Sequence, residues 1–179
     1  MTDSVQVIHP ALQDSVGLIR EVPDFPEPGV LFRDITPLLA DGPALAAVVS
    51  ALADGREFDL VAGVEARGFL VGAALAHAQG SGVVGLRKPG KLPEVADRID
   101  YTLEYGSASL ELPAGTVRPG QRVLVVDDVL ATGGTLNAAC ELLGRAGAEV
   151  VGASVVMELT ALGGRERVSA AEVRALLAV

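Results

Sequence analysis

The stretch RVLVVDDVLATGGT, residues 122–135, decides the fold of this chain. Its apolar residues 123–126 predict a buried strand, and the acids Asp127 and Asp128 follow that strand directly. A loop of small residues then opens onto an amphipathic helix, and its members are Ala131, Thr132, Gly133, Gly134 and Thr135. Because ligands of open α/β sheets bind beyond the carboxyl ends of the strands, we expect a binding site here.

The chemistry of this stretch suits a sugar that carries a phosphate. Two carboxylates at a strand end can accept hydrogen bonds from vicinal hydroxyls, as on a ribose. Small side chains let backbone N–H groups close around a phosphate, and the helix N-terminus adds a favourable partial charge. The plain alternative is a βα turn in which Thr132 caps the helix. A nucleotide P-loop is excluded, because no Gly-Lys-Ser/Thr follows the loop.

The rest of the chain alternates strands and helices. Strands are predicted at residues 59–64 and 83–86, and an Ala-rich helix at 69–79 between them ends at Gly80. A strand–helix–strand unit predicts two parallel strands joined by a right-handed crossover. A further buried strand is predicted at residues 150–157. The sequence therefore predicts an α/β fold, with a mostly parallel twisted sheet and helices on both faces.

Local patterns predict further elements on either side of this unit. Apolar residues at helical spacing predict helices at 10–21 and at 43–54, the second with Asp41 as its cap. Residues 87–100 are polar and broken by proline, so we expect a mobile excursion there. A hairpin around Gly106 is predicted to follow, because the flanking residues 101–112 alternate in polarity.

Composition limits the classes of function. The 179 residues suit one domain, residues 1–179, and half of them are hydrophobic. The net charge of −9 argues against nucleic acid as a partner, so an anionic ligand needs a local basic cluster. The single cysteine, Cys140, excludes an intramolecular disulfide and fits a reducing compartment. No apolar run is long enough to span a membrane, so we expect a cytoplasmic protein with no membrane partner.

Residues 122–135 resemble the signature of the type I phosphoribosyltransferases, which bind phosphoribosyl pyrophosphate. Over nearly its whole length the chain is similar to the adenine phosphoribosyltransferase family within that group. The segments that carry this resemblance are DFPEPGVLFRDITPLL (24–39), GVEARGF (63–69), RKPGKLP (87–93), YTLEYG (101–106) and ELTALGGRER (158–167). The resemblance implies the type I phosphoribosyltransferase fold, with an N-terminal hood of about residues 1–40 and a flexible hairpin lid of about residues 87–112.

The resemblance also implies a reaction and its partners. The family transfers the 5-phosphoribosyl group from phosphoribosyl pyrophosphate to N9 of adenine, giving AMP and pyrophosphate in purine salvage. It implies a homodimer and Mg²⁺ as cofactor. We expect the metal to arrive with the substrate pyrophosphate, with no direct protein ligand, since Asp127 and Asp128 suit a ribose better.

Several residues gain roles from the family. The resemblance assigns pyrophosphate binding to Arg67, Arg87, Lys88 and Lys91. Taken alone, residues 87–91 are typical of a solvated basic loop, and Arg67 of a surface ion pair with Glu65. The resemblance assigns the adenine pocket to Leu31, Phe32, Arg33 and Leu159. Taken alone, the apolar residues among these four are typical of a plain core. Glu104 is the expected catalytic residue, since a carboxylate there can take a proton from the N7 side of the purine; alone, it is typical of an exposed strand position.

Two segments depart from the family pattern. Asp100 stands where members often carry a small or hydroxyl residue, in the unusual segment 92–100. The tail 168–179 has a capping box at Ser169 and favours helix, whereas members often end in an extended apolar segment.

Two other functions are possible alternatives. One is a regulator that senses phosphoribosyl pyrophosphate, which needs a DNA-binding element, and the other is a transferase for another base such as xanthine. The isomer of the peptide at residues 65–66 is left open.

Overall fold

The computed structural model describes residues 5–102 and 107–179. The strands in chain order are β1 (Gln6–Val7), β2 (Arg20–Pro23), β3 (Leu31–Asp34), β4 (Leu60–Val64), β5 (Gly82–Leu86), β6 (Val95–Thr102), β7 (Ser107–Pro113), β8 (Arg122–Leu130), β9 (Glu149–Glu158) and β10 (Val173–Ala178). The α-helices are α1 (Thr36–Ala40), α2 (Gly42–Ala53), α3 (Gly68–Gln79), α4 (Gly134–Arg145) and α5 (Gly164–Arg167). Short 3-10 helices lie at Pro10–Leu12, Val16–Leu18 and Thr160–Leu162.

The central sheet has the strand order β1-β10-β9-β8-β4-β5. Every neighbouring pair is parallel except β1 with β10. Helices α2 and α3 pack on one face, and α4 packs on the other together with the β6–β7 hairpin. The predicted fold class is therefore confirmed. Within the described residues, no helix combines the length and the apolar character that crossing a membrane requires.

Two of the predicted helices form as expected, because their end signals are local. The Asp41 side chain accepts a hydrogen bond from the Ala44 N–H at 2.9 Å, which caps α2. Gly80 takes a φ of 66° and ends α3. The expected crossover between β4 and β5 follows, since these strands pair in parallel on either side of α3 in sequence.

The predicted helix at 10–21 is wrong. The chain makes two 3-10 helices there and then enters β2, which pairs antiparallel with β3. Leu12 is fully buried, but from Arg20 onward the backbone hydrogen bonds to β3 instead of to itself. This two-stranded ribbon lies within residues 1–40, whose role as a hood stays a prediction.

The predicted excursion at 87–100 is only partly right, because β6 begins at Val95. The β6–β7 hairpin buries Ile99, Leu110 and Leu112 against α4, which fixes it to the sheet. Flexibility of the lid stays a prediction.

The tail forms a strand, so the helical alternative is wrong. β10 pairs in parallel with β9 and buries Ala175, Leu176 and Leu177. The capping-box pattern is local, whereas this burial depends on pairing with β9, an interior strand of the sheet. Tertiary packing outweighs helix propensity here.

The signature strand is longer than predicted, and this creates the site. β8 continues to Leu130, whereas its pairing with β4 stops at Gly63 and Val126. On its other side, β8 stays paired with β9 as far as Leu130 and Glu158. The acids Asp127 and Asp128 therefore lie within β8, beside the gap that the shorter β4 leaves.

Candidate active site

A cleft of about 370 Å³ opens at this gap in the sheet. It is lined by residues from β4 to α4, which are Glu65, Ala66, Arg67, Lys88, Tyr101, Ala108, Leu110, Asp127, Asp128 and Thr135. A smaller cavity of about 160 Å³ adjoins it and is lined by Asp127, Thr135 and the loop between β8 and α4. Strand ends, the hairpin and a helix N-terminus thus converge on one space, as the sequence predicts.

The acid pair is almost completely buried, with 8% of Asp127 and 7% of Asp128 exposed. The Asp127 carboxylate accepts a hydrogen bond from the Asp128 N–H at 2.8 Å. The Asp128 carboxylate accepts one from Arg67 Nε at 2.5 Å. Burial, and then the charge of Asp128, raise the pKa of Asp127 well above its ordinary value. The two neighbouring carboxyl groups therefore line the cleft, where they can accept hydrogen bonds from a ligand.

Arg67 joins the cleft to the N-terminal hood. It immediately precedes α3, and its guanidinium carbon lies 5.5 Å from the centroid of the Phe32 ring in β3. Its ion-pair partner is Asp128 and not Glu65, the partner that its sequence position favours. Arg67 therefore presents a cation between the acid pair and an aromatic side chain.

The Glu65 carboxylate binds the predicted basic cluster of residues 87–91. Its carboxylate accepts hydrogen bonds from Lys91 Nζ at 2.5 Å, from the Lys88 N–H at 2.9 Å and from Arg87 Nε at 3.2 Å. Burial alone would raise the pKa of Glu65, but these three donors outweigh it and lower the pKa to about 2. Residues 87–91 are therefore held around one carboxylate at the mouth of the cleft. The Glu65–Ala66 peptide is cis.

The loop before α4 ends in a backbone cap. Gly133 occupies the N-cap position with a φ of 81°, so Thr132 is not the cap of the helix. Thr135 donates a hydrogen bond from its hydroxyl to the Tyr101 hydroxyl at 3.1 Å. The loop residues Ala131, Thr132 and Gly133 line the smaller cavity, where the first N–H groups of α4 are available to an anion.

The predicted base-binding residues lie around the cleft and not in its described lining. Leu31, Phe32 and Arg33 belong to β3, and Phe32 packs edge-on against Phe25 with 5.2 Å between the ring centroids. Leu159 follows β9 and donates its N–H to the Leu130 carbonyl at 2.9 Å. Phe32 contacts the cleft residue Arg67, and Leu159 is bonded to Leu130, which lines the smaller cavity. Glu104, the predicted catalytic residue, lies outside the described residues.

Two glycines of the site, Gly68 and Gly164, make close contacts that the sequence did not predict. A Cβ on Gly68 would lie 2.9 Å from both Asp127 Oδ1 and the Val126 carbonyl oxygen, so only glycine lets α3 approach the acid pair. Gly164 touches the loop before α4 in the same way. Both stand in segments that carry the family resemblance, but nothing local in the sequence indicates what they face.

The fold and this site define the class of protein. A family model described as phosphoribosyl transferase domain matches residues 34–176. The adenine phosphoribosyltransferase of Saccharopolyspora erythraea is 76% identical over 166 residues, which cover 93% of this chain and 91% of that relative. The chain belongs to the adenine phosphoribosyltransferase family.

Solved structures agree in both fold and sequence. The crystal structure of adenine phosphoribosyltransferase from Thermoanaerobacter pseudethanolicus matches with a TM-score of 0.89 and 44% identity, covering 94% of this chain and 99% of that chain. The enzyme from Saccharomyces cerevisiae matches with a TM-score of 0.87 and 35% identity, covering 93% of this chain and 98% of that chain. That yeast structure is complexed with an imino-altritol 1,6-bisphosphate and adenine.

Proposed function

We propose that this chain transfers the 5-phosphoribosyl group from phosphoribosyl pyrophosphate to N9 of adenine, giving AMP and pyrophosphate in purine salvage. The observation that carries the proposal is the meeting of acids, cations and a helix N-terminus around one cleft. Such a substrate needs a helix N-terminus for the phosphate, acids for the ribose hydroxyls and cations for the pyrophosphate. Membership of the family supplies the base.

The ribose-phosphate end of the site comprises residues 127–135. Asp127 and Asp128 accept hydrogen bonds from the ribose hydroxyls, which offset the cost of burying two carboxylates. Backbone N–H groups of residues 131–135 bind the 5′-phosphate, and the hydroxyls of Thr132 and Thr135 add donors.

The pyrophosphate end comprises Glu65, Arg67 and residues 87–91. As N9 bonds to the anomeric carbon, the bond from that carbon to the pyrophosphate oxygen breaks and negative charge grows on the leaving group. Cations already positioned at the cleft, Arg67 and Lys88 above all, stabilise that charge. Arg87 and Lys91 exchange Glu65 for phosphate oxygens when the ligand binds.

Mg²⁺ enters this proposal as part of the substrate. Among the described residues, no group of three or more His, Cys, Asp or Glu side chains is placed to hold a metal. The Asp128 carboxylate accepts a hydrogen bond from Arg67, and the Asp127 carboxylate accepts one from the Asp128 N–H. Mg²⁺ carried in by phosphoribosyl pyrophosphate would neutralise charge on the pyrophosphate.

The adenine pocket is assigned to Leu31, Phe32, Arg33 and Leu159, and proton transfer to Glu104. Apolar side chains enclose the flat base, while backbone groups at Arg33 read its edge. Glu104 takes the proton that adenine loses, on the N7 side, as the lid closes over the site. The same proposal includes a homodimer in the cytoplasm, both on the ground of the family.

Base selectivity tests the proposed reaction. AMP and pyrophosphate formation from phosphoribosyl pyrophosphate and Mg²⁺ is measured with adenine, hypoxanthine, guanine and xanthine in parallel. We expect turnover with adenine and little with the others, because the exocyclic amine is read. Equal kcat/KM for hypoxanthine contradicts the assigned pocket. Binding of phosphoribosyl pyrophosphate without turnover of any base favours the rival regulator.

Replacing Glu104 tests the catalytic assignment. Glu104→Gln keeps the shape of the side chain but removes the proton acceptor, so we expect kcat to fall by about 100-fold or more. The Kd for phosphoribosyl pyrophosphate should change little. Near-normal turnover in this variant removes Glu104 from the mechanism.

A further inference from the structure

The segment after β9 packs its backbone directly onto the proposed phosphate loop. A side chain on Gly164 would overlap the Ala131 carbonyl oxygen and lie 2.9 Å from the Gly133 nitrogen. A side chain on Gly133 would in turn overlap the Gly164 carbonyl oxygen. The two backbones therefore touch with no room for a Cβ on either side. We name this contact of Gly164 with residues 131–133 the glycine clasp.

One arginine holds Gly164 in place. Arg165 Nε lies 3.1 Å from each carboxylate oxygen of Glu158, and its Nη2 also contacts that carboxylate. Its Nη1 donates to the Val173 carbonyl at 2.5 Å. Glu158 is the last residue of β9, and Val173 is the first of β10. The residue next to Gly164 is thus fastened to two strands of the central sheet.

The loop that the clasp touches depends on accurate placement. Its N–H groups bind an anion well only if several point at it together, and a shift of about 1 Å in a binding group can cost about 100-fold in rate. Leu159 adds a second fixed point, because its N–H bonds to the Leu130 carbonyl just before the loop. Residues 159–165 therefore contact the start of the loop at two places, Leu130 and residues 131–133.

We propose that Gly164 and Arg165 are positioning residues that set the affinity of the loop at 131–135 for the 5′-phosphate. Gly164 fixes the position of the loop through the glycine clasp. The pairing of Arg165 with Glu158 holds Gly164 against the loop. This inference rests on the proposed function, since it takes the loop to be the 5′-phosphate site. Neither residue needs to touch the substrate.

The test compares Gly164→Ala with Gly144→Ala. A Cβ on Gly144 in α4 meets open space, so that variant adds the same methyl group without displacing the loop. The Kd for ribose 5-phosphate and the Kd for pyrophosphate are measured by calorimetry, and KM for adenine by turnover. For Gly164→Ala we expect the ribose 5-phosphate Kd to rise by about tenfold or more. Pyrophosphate Kd and adenine KM should stay within about twofold, and Gly144→Ala should match the wild type.

A second pair of variants decides the question if Gly164→Ala does not fold. Arg165→Lys keeps the charge but loses the two-pronged hydrogen bonding to Glu158, so we expect a rise of about fivefold in the ribose 5-phosphate Kd alone. Its control is Arg167→Lys on the same short helix. A loss of ribose 5-phosphate and pyrophosphate affinity to the same extent shows general destabilisation and overturns the inference.

The measurements separate the two levels of the proposal. If the wild type binds ribose 5-phosphate and the Gly164 and Arg165 variants bind it equally well, the clasp has no positioning role while the proposed function stands. If the wild type does not bind ribose 5-phosphate at all, both the proposed function and this inference fail.

Discussion

Glu65 and Asp127 are acids that line one cleft, and their pKa values are shifted in opposite directions. Glu65 accepts hydrogen bonds from three donors of residues 87–91, which lower its pKa to about 2 despite burial. Asp127 accepts one hydrogen bond from the adjacent N–H, and burial and the charge of Asp128 raise its pKa. Within the described residues, the Glu65 carboxylate is therefore surrounded by donors, whereas the Asp127 carboxyl lies beside a second acid.

The difference shows two ways of preparing a site for an anion. The ribose-phosphate end is built from a buried strand, a helix N-terminus and the backbone of residues 131–133, so its donors are fixed before the ligand arrives. The pyrophosphate end is built from long side chains that already have an internal anion. In the proposed function, phosphate oxygens replace Glu65 as the partner of Arg87 and Lys91, and Glu65 keeps these cations in place between turnovers.

Loss of Arg67 should produce the largest effect, because it belongs to both ends. It lines the cleft at the proposed pyrophosphate position, and its guanidinium also pairs with Asp128. We expect Arg67→Gln to lower kcat/KM for phosphoribosyl pyrophosphate by about 100-fold, the loss typical of one positioned donor. The measurement is steady-state turnover with adenine, together with the Kd for pyrophosphate and for ribose 5-phosphate.

The matched control is Arg118→Gln, in an exposed loop at the amino end of β8, which should keep full activity. The comparison of the two ends predicts that Arg67→Gln weakens the binding of pyrophosphate more than the binding of ribose 5-phosphate. The reverse order would mean that Arg67 acts mainly by holding Asp128, and the division into two ends would have to be redrawn.

Asp127→Asn should weaken binding of phosphoribosyl pyrophosphate and raise the free energy of unfolding at pH 7. The loss of a charged acceptor for a ribose hydroxyl should weaken phosphoribosyl pyrophosphate binding by about 10-fold to 100-fold, since such hydrogen bonds contribute about 1.5–3 kcal/mol. Because the folded-state pKa is raised, the stability from this group is present below the ordinary pKa of 3.8 and is lost as pH rises through the raised value. The urea midpoint of the variant should therefore exceed that of the wild type at pH 7 and approach it at pH 4.

The control for this variant is Asp14→Asn, whose side chain is exposed. It should change neither the binding constant nor the urea midpoint. If Asp127→Asn is less stable than the wild type at pH 7, then the carboxylate of Asp127 is already compensated in the free protein, and the contrast with Glu65 disappears.

How far the sequence predicts this site depends on whether the signal is local. The apolar run before Asp127, the cap at Asp41 and the glycine after α3 all act within a few residues, and the corresponding elements form as predicted. The pairing of Lys91 with Glu65 spans 26 positions, and the clasp joins Gly164 to residues 131–133. Such contacts depend on the folded chain. The tail became a strand for the same reason, since β9 supplies its partner.

The smallest effect is expected for Glu65→Gln. Its pH dependence tests the direction of the pKa shift of Glu65. A folded-state pKa lowered from 4.5 to about 2 gives stability that is present above pH 4.5 and is lost as pH falls toward 2. The Lys91 side chain is about half exposed, so solvent screening limits the contribution to about 1 kcal/mol or less at pH 7. Urea unfolding of the ligand-free protein at pH 7, 5 and 3 should show the variant less stable at pH 7, with the gap narrowing by pH 3. Glu57→Gln, with an 85% exposed side chain, is the control. This dependence is opposite in sign to that of Asp127→Asn, so a gap that stays constant with pH would show that the charge of Glu65 does not hold the basic cluster together.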